Sequence, residues 1–351
     1  MKPRKIPKLK PLFLERMQKL LTDEKDFKKY LEILKVLPAK SIRCNTLKIS
    51  PEKLKKKLEE KGWKIKQPWK NYPEVMVVEN ELLPGELGRA LEHLLGYYYI
   101  QELASMLPVI ALRPKENKTI LDLCSSPGSK TTQTSSLMKN SGSIIANEIS
   151  LGRIKILASN LERCGVTNAI ITKKNGIDFC KKLFREKTAR FQKDCNKEIA
   201  SQGQEGKIQK NRLGCFDFDK ILVDAPCSGE GTLRSSLKTY LMWNFKTIKT
   251  VSRLQKNLIA FAFEILKTDG VLVYSTCTHA PEENEEVVDF ILKKFKGRIK
   301  IEKINLPVKF REGITEWENK KFSNDVKKSA RIYPHDNNTE GFFISKFRKI
   351  G

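Results

Sequence analysis

TILDLCSSPGSKTTQTSSL, residues 119–137, decides the fold. A short apolar run ends in a turn at Pro127-Gly128, and a helix is expected at about 130–139. Downstream the same alternation repeats. SIIANE (143–148) reads as a second strand, with an amphipathic helix through 151–164, and NAIIT (168–172) reads as a third strand. KILVDA (220–225) and GVLVYST (270–276) read as a fourth and a fifth, joined by the helical pattern VSRLQKNLIAFAFEILKTDG with its Gly terminator. A helix over 281–296 follows, then weaker strands near 299–304 and 341–347. Apolar strands alternating with helices predict an α/β fold with a parallel, doubly wound sheet. Ligands of such a sheet sit at the carboxyl ends of its strands.

Upstream, residues 1–112 read as a separate small α+β module ending in a bridge, YYYIQELASMLPVIAL, at about 97–112. Helical patterns run near 12–36, and residues 42–49, which include RCNTLKI, read as a strand. SPEKLKKKLEEKG opens with a Ser N-cap before Pro at the first helical position and ends at a Gly stop. Residues 113–351 form the second domain. It is interrupted at 181–213 by a polar, weakly periodic, basic stretch expected to be a solvated insertion rather than a core element.

The turn after the first strand restricts the ligand. A phosphate-binding P-loop needs Gly where this chain has Ser129 and Cys124, and the G-x-G-x-x-G fingerprint is absent because Gly128 stands alone. The loop is poorly built for a pyrophosphate, yet Pro127-Gly128 lets backbone approach a ligand closely. Glu148 ends the second strand twenty residues after Gly128, a spacing that suits a carboxylate on a ribose diol in a Rossmann-like sheet. A nucleoside without phosphates fits both facts, and S-adenosylmethionine is the common one.

Composition narrows the partners. The 351-residue chain carries a net charge of +26, and residues 1–70 hold 22 Lys and Arg against 8 Asp and Glu. A second basic excess lies in 181–213. Such a field favours a polyphosphate partner through counterion release. Eight cysteines are scattered at 44, 124, 164, 180, 195, 215, 227 and 277 without a C-x-x-C pair, and there are three histidines, so no metal site is expected. No apolar run is long enough to span a membrane, and the basic N-terminus lacks the apolar block of a secretory signal. A reduced, cytoplasmic monomer is the expectation.

Two cysteines stand apart from the rest. DAPCSGEGT (224–232) follows the fourth strand and STCTHAPEEN (275–284) the fifth, so Asp224, Cys227 and Cys277 are expected to converge. Carbon 5 of cytosine is a poor nucleophile towards a methyl sulfonium. A thiolate adding at carbon 6 makes it enamine-like, helped by an acid at ring nitrogen 3. After methyl transfer the carbon-5 proton must leave and the thiol must be eliminated. The thiolate itself needs a nearby cation or base.

With RCNTLK (43–48), YIQELAS (99–105), SSPGSKT (125–131), DAPCSGEGT, STCT (275–278), PEENE (281–285) and RIYPHDNNTEGFF (331–343) in order, the chain resembles the Sun/RsmB-type RNA cytosine-5 methyltransferases. The similarity covers nearly everything outside 181–213. The resemblance implies Cys277 as nucleophile, Cys227 as the thiol assisting product release, Asp224 against the target base and Lys130 nearby. It also implies a cofactor site made of Cys124, Ser125, Ser126, Pro127, Gly128, Ser129, Lys130, Glu148, Arg153 and Asp224. The N-terminal module would be an RRM-like RNA-binding domain, with Arg43 and Lys48 as RNA contacts. The chain departs from the family in SSPGSK, where Ala-Ala-Pro-Gly-Gly-Lys is usual, and at the acid after the third strand. That position aligns with Asn175, with Asp178 three residues on, and both are carried as adenine-side candidates. DAPCSGEGTLR resembles the transfer-RNA branch, so tRNA is the expected substrate. Ribosomal RNA, or a catalytically silent RNA-binding or assembly factor on the same scaffold, are the alternatives.

Overall fold

A computed structural model of the chain describes residues 6–200 and 217–351. Two short helices come first, α1 (Pro11–Leu20) and α2 (Glu24–Ile33). The Asp23 carboxylate caps α2 by accepting from the Lys25 and Asp26 amides. A four-stranded antiparallel sheet follows, built from β1 (Lys40–Cys44), β2 (Ile65–Lys66), β3 (Val75–Val78) and β4 (Tyr98–Ile100) in the order β2-β3-β1-β4. Helix α3 (Pro51–Glu60), with the Ser50 hydroxyl at its N-cap, puts Leu54 and Leu58 on Ile42, Met76 and Tyr98 of that sheet. Two one-turn helices, α4 (Glu86–Arg89) and α5 (Leu91–Leu94), lead to β4.

Helix α6 (Leu103–Leu112) is apolar nearly all round and buried along its whole length, as its composition requires. It lies in the core beneath the main sheet with Ile120, Ile144, Leu222 and Val273. That sheet contains β5 (Thr119–Asp122), β6 (Ser143–Asn147), β7 (Ala169–Thr172), β8 (Phe218–Asp224) and β9 (Leu266–Thr276), all parallel, in the order β9-β8-β5-β6-β7. The connecting helices are α7 (Ser129–Leu137), α8 (Leu151–Cys164), α9 (Gly176–Ala200), the short α10 (Leu237–Met242) and α11 (Phe245–Glu264). After β9 come α12 (Glu285–Lys294), β10 (Ile299–Glu302), β11 (Arg311–Glu312), a hairpin of β12 (Glu316–Trp317) and β13 (Lys320–Lys321), β14 (Ala330–Ile332), α13 (Pro334–Asn337) and β15 (Phe342–Lys349). β15 runs antiparallel beside β9, and β14 and β10 share its far edge. From β5 the chain winds outward to β6 and β7, then crosses to β8 and β9 on the other side. The crevice therefore opens above the carboxyl ends of β5 and β8.

One expectation changes in space. The stretch 181–213 is not wholly a solvated insertion: α9 runs through 181–200, and Leu183 and Phe184 pack on the main core beside Cys180. The polar character of the stretch hides a one-sided apolar face at its start; residues 201–213 lie outside the described residues. The first two helices also pack on the second domain. Phe13 and Met17 of α1 and Tyr30 of α2 share a core with Tyr240, Trp243 and Ile248 of α10 and α11 and with Tyr333. Arg16 makes a bidentate, buried pair with Glu282, and Arg311 joins Asp26 to Asp336. Among the described residues, no helix is long and apolar enough to cross a membrane.

Candidate active site

The loop after β5 is tied down residue by residue. The Ser125 amide and hydroxyl both donate to the Asn147 carbonyl at the end of β6, at 3.0 and 2.8 Å. The Ser126 hydroxyl donates to the Arg153 carbonyl at 3.0 Å, and the Ser126–Pro127 peptide is cis. Gly128 takes φ +105° at the N-cap of α7, and a Cβ there would meet the Leu157 side chain at 3.0 Å. Glycine is required both for that backbone conformation and for the close packing of α8. Because Gly128 has no side chain, the first-turn amides of α7 carry no side-chain cap and remain donors for an anionic group.

Above this loop lies a cavity of about 330 Å3 lined by Tyr99, Ile100, Gln101, Glu102, Ser105, Cys124, Ser125, Ser126, Pro127, Ser129, Lys130 and Asp224. At its floor the Lys130 ammonium sits 2.7 Å from Asp224 Oδ2 and donates to the Ser105 hydroxyl at 3.1 Å. Asp224 Oδ1 accepts from the Ser275 hydroxyl at 2.7 Å, so one carboxylate links β8 to both α7 and β9. Burial pushes the neighbouring Asp122 carboxyl up to about 7, although Thr131 donates to its Oδ2 at 2.7 Å. Burial also pushes the Cys124 thiol far up, which makes it an inert wall of the cavity.

Glu148, just past the end of β6, is buried and is not among the residues lining this cavity. It accepts from the Ser150 amide at 2.9 Å and faces the Arg153 guanidinium at 3.4 Å. Arg153 in turn donates to the Ser126 carbonyl at 2.6 Å, so it acts as a brace between Glu148 and the loop. Asn175 is exposed and serves as the N-cap of α9, its Oδ1 accepting from the Ile177 and Asp178 amides at 2.9 and 3.4 Å. The adenine-side role expected of that oxygen therefore competes with a cap, and Asp178 lies in the first turn of α9.

On the β9 side, Cys227 Sγ and Cys277 Sγ lie 3.2 Å apart, both partly exposed and free. The contact with Cys277, and then burial, push the Cys227 thiol well up. The shift favours the protonated form of Cys227, and either sulfur can donate in the contact. Two glycines let the chains close behind the thiols. Gly231 donates its amide to the Cys277 carbonyl at 2.9 Å and accepts from the Gly341 amide at 2.9 Å. A Cβ on Gly231 would collide with the Gly341 carbonyl. A second cavity, about 290 Å3, opens beyond Cys227 between Ser228, Lys238, Thr239, Met242 and Trp243.

One expected RNA contact is corrected. Arg43 is fully enclosed between the N-terminal sheet and α7. It donates to the Gln101 side chain, to the Ser129 carbonyl at 2.8 Å and to the Thr132 hydroxyl at 2.8 Å. Lys48 spends its ammonium on the Leu95 and Arg163 carbonyls at 2.9 and 2.8 Å. Arg43 ties β1 to α7, which explains that basic residue of RCNTLK without any RNA, while Lys48 stays exposed and ties its loop to α8. Conversely, sequence reasoning did not single out Tyr99, Glu102 and Ser105 as lining the cavity. Their membership in YIQELAS, which runs into the first turn of α6, was the available sign.

The residues suit a phosphate-free nucleoside carrying an amino-acid carboxylate. Donors at the α7 N-terminus would hold the carboxylate, and Glu148 would hold the ribose. Comparison with known proteins identifies the family. Residues 109–348 match the family described as 16S rRNA methyltransferase RsmB/F, and residues 9–103 match the N-terminal domain of 16S rRNA methyltransferase RsmF. The tRNA (cytosine(49)-C(5))-methyltransferase of Pyrococcus abyssi is 40% identical over 97% of each chain. The ribosomal RNA small subunit methyltransferase F of Vibrio campbellii is 34% identical over 96% of this chain, which spans 63% of that relative's length. Among solved structures, a methyltransferase homolog protein from Pyrococcus horikoshii superposes with a TM-score of 0.74 at 30% identity, covering 97% of this chain and all of that one. NSun6 from Pyrococcus horikoshii, solved with SFG, gives 0.74 at 25% identity over 97% and 98% of the two chains. A family match over most of the sequence, on a fold shared from end to end with methyltransferases, settles the assignment: the chain belongs to the RsmB/F family and is an S-adenosylmethionine-dependent RNA methyltransferase.

Proposed function

We propose that this enzyme methylates carbon 5 of cytosine in transfer RNA, with Cys277 adding to carbon 6 and Cys227 assisting release. The observation that carries the reading is the approach of the two sulfur atoms to 3.2 Å at the ends of β8 and β9, beside the Lys130–Asp224 pair. Methylation of an exocyclic amine would need neither thiol. The family resemblance supports Cys277 as the nucleophile, and the raised Cys227 thiol accords with a partner that is the poorer source of thiolate. Asp224, oriented by Ser275 and Lys130, is the group for ring nitrogen 3 of the base. S-adenosylmethionine supplies the methyl group. Attack by the Cys277 sulfur forms the carbon 6–sulfur bond and makes carbon 5 nucleophilic. Once carbon 5 is methylated, its proton leaves to a basic group, the freed pair re-forms the 5,6 double bond, and the carbon 6–sulfur pair returns to Cys277.

Likeness to the Pyrococcus tRNA enzyme, the higher of the two identities quoted above, supports transfer RNA over ribosomal RNA as substrate. Two measurements test the proposal. RNA containing 5-fluorocytosine should trap a covalent adduct that disappears in Cys277→Ser and persists in Cys227→Ser. No adduct with any cytosine-containing RNA rejects the mechanism. Tritiated methyl transfer to a tRNA transcript should exceed transfer to a 16S rRNA fragment, and the reverse order moves the substrate to ribosomal RNA.

A further inference from the structure

The chain around Cys227 is held by buried bonds that the thiol pair itself does not require. Glu283, in the PEENE segment between β9 and α12, is fully buried. Its Oε2 accepts from the Ser228 amide at 3.0 Å and from the Gln255 side-chain amide of α11 at 2.8 Å. That same Gln255 amide donates to the Pro226 carbonyl at 2.8 Å. The residue before Cys227 and the residue after it are thus gripped by one Glu–Gln pair. A third tie, Ser228 Oγ to Thr278 Oγ1 at 2.8 Å, fastens the Cys227 segment to the residue following Cys277.

Two buried oxygens, Glu283 Oε1 and Gln255 Oε1, face no donor. An ionised carboxylate would leave both unsatisfied in an apolar setting, whereas a protonated carboxyl brings an O–H donor of its own. Burial pushes Glu283 up to about 7, and the Glu230 carboxyl adds its repulsion. Gln255, Ser228 and the Tyr274 hydroxyl, which donates to the Glu283 carbonyl at 2.5 Å, bring no compensating positive charge.

We propose that Glu283, acting through Gln255, is a positioning residue for Cys227: the pair fixes Pro226–Ser228 so that the Cys227 sulfur stays against Cys277. This rests on the reading of Cys277 as nucleophile and Cys227 as the release thiol. Asp224, Lys130 and Cys277 are held by other bonds, so loosening the clamp spares methyl transfer and stalls elimination.

The test uses the full chain, S-adenosylmethionine and substrate RNA with ordinary cytosine. Glu283→Ala should accumulate a covalent protein–RNA adduct, keep single-turnover methyl transfer within about threefold of wild type, and lose about tenfold or more in steady turnover. Glu283→Gln, which keeps the acceptor and the shape of a neutral acid, should restore turnover. Gln255→Ala should behave like Glu283→Ala and serves if that variant fails to fold. If both alanine variants lose transfer and turnover equally, without adduct, while Cys227→Ser still accumulates one, the clamp is overturned and the thiol roles stand. If Cys227→Ser accumulates none either, the reading of the thiols falls and the clamp falls with it.

Discussion

Single carboxyls carry much of the chemistry, and the structure gives them different surroundings. Asp224 has a lysine at 2.7 Å, whereas Asp122, one strand away, has only a threonine hydroxyl at 2.7 Å and a buried, unpartnered second oxygen. Its carboxyl is pushed up to about 7 by burial, with Asp224 adding repulsion. A carboxyl raised in the folded state binds its proton more tightly there than in the unfolded chain. Its contribution is therefore full below the unfolded pKa, about 3.9, and is lost as pH rises through about 7. Asp122→Asn cannot ionise. The melting temperature of the wild type should thus fall relative to Asp122→Asn between pH 5 and pH 8, as read by calorimetry in matched buffers. A constant difference across that range would mean that Asp122 does not titrate there. None of this was legible in TILDLC, where Asp122 reads as an ordinary strand-end acid; its state depends on burial that only the packed sheet supplies.

Elements explain why the strand ends were readable and the ties between them were not. The five parallel strands announce themselves by short apolar runs closed by turn residues, and the two cysteines are legible because each follows such a run directly. Their 3.2 Å approach depends on β8 and β9 being neighbours in register, Asp224 beside Ser275, which a linear pattern implies but does not measure. Arg43 is the opposite case. On β1 it alternates as a surface cation should, yet it crosses to α7 and meets the Ser129 carbonyl in the wall of the cofactor cavity. Long-range partners of this kind, 86 and 89 residues away, leave no local trace. Arg43→Met would strip donors from the Ser129 carbonyl, the Thr132 hydroxyl and the Gln101 side chain. The expected cost is about 2–4 kcal/mol in urea unfolding, with weaker S-adenosylmethionine binding in calorimetry. Retained affinity at reduced stability would make Arg43 a fold residue alone, without influence on the loop.

For the whole molecule, the charge of +26 needs a location rather than a total. Part of the basic N-terminal stretch is internal wiring: Arg16 pairs with Glu282, Arg43 ties β1 to α7, and Lys48 ties its loop to α8. Since α1 and α2 pack on α10 and α11, the small sheet and the thiol pair are parts of one connected structure. What remains facing solvent on the small sheet includes Lys53, Lys56, Lys57 and Lys64, on and after α3. Exposed lysines there form no buried bonds whose removal would disturb the fold, so their replacement isolates the electrostatic part of RNA binding. Each phosphate left without its cation should reduce the slope of log affinity against log salt by about 0.7–0.9. Replacing Lys53, Lys57 and Lys64 together by Gln should therefore flatten the slope by about 2–3 if all three meet phosphates, with the melting temperature unchanged. Fluorescence anisotropy of a labelled tRNA across a salt series reads this directly. An unchanged slope would take the RNA path away from α3 and assign the excess charge to the faces around the cavities instead.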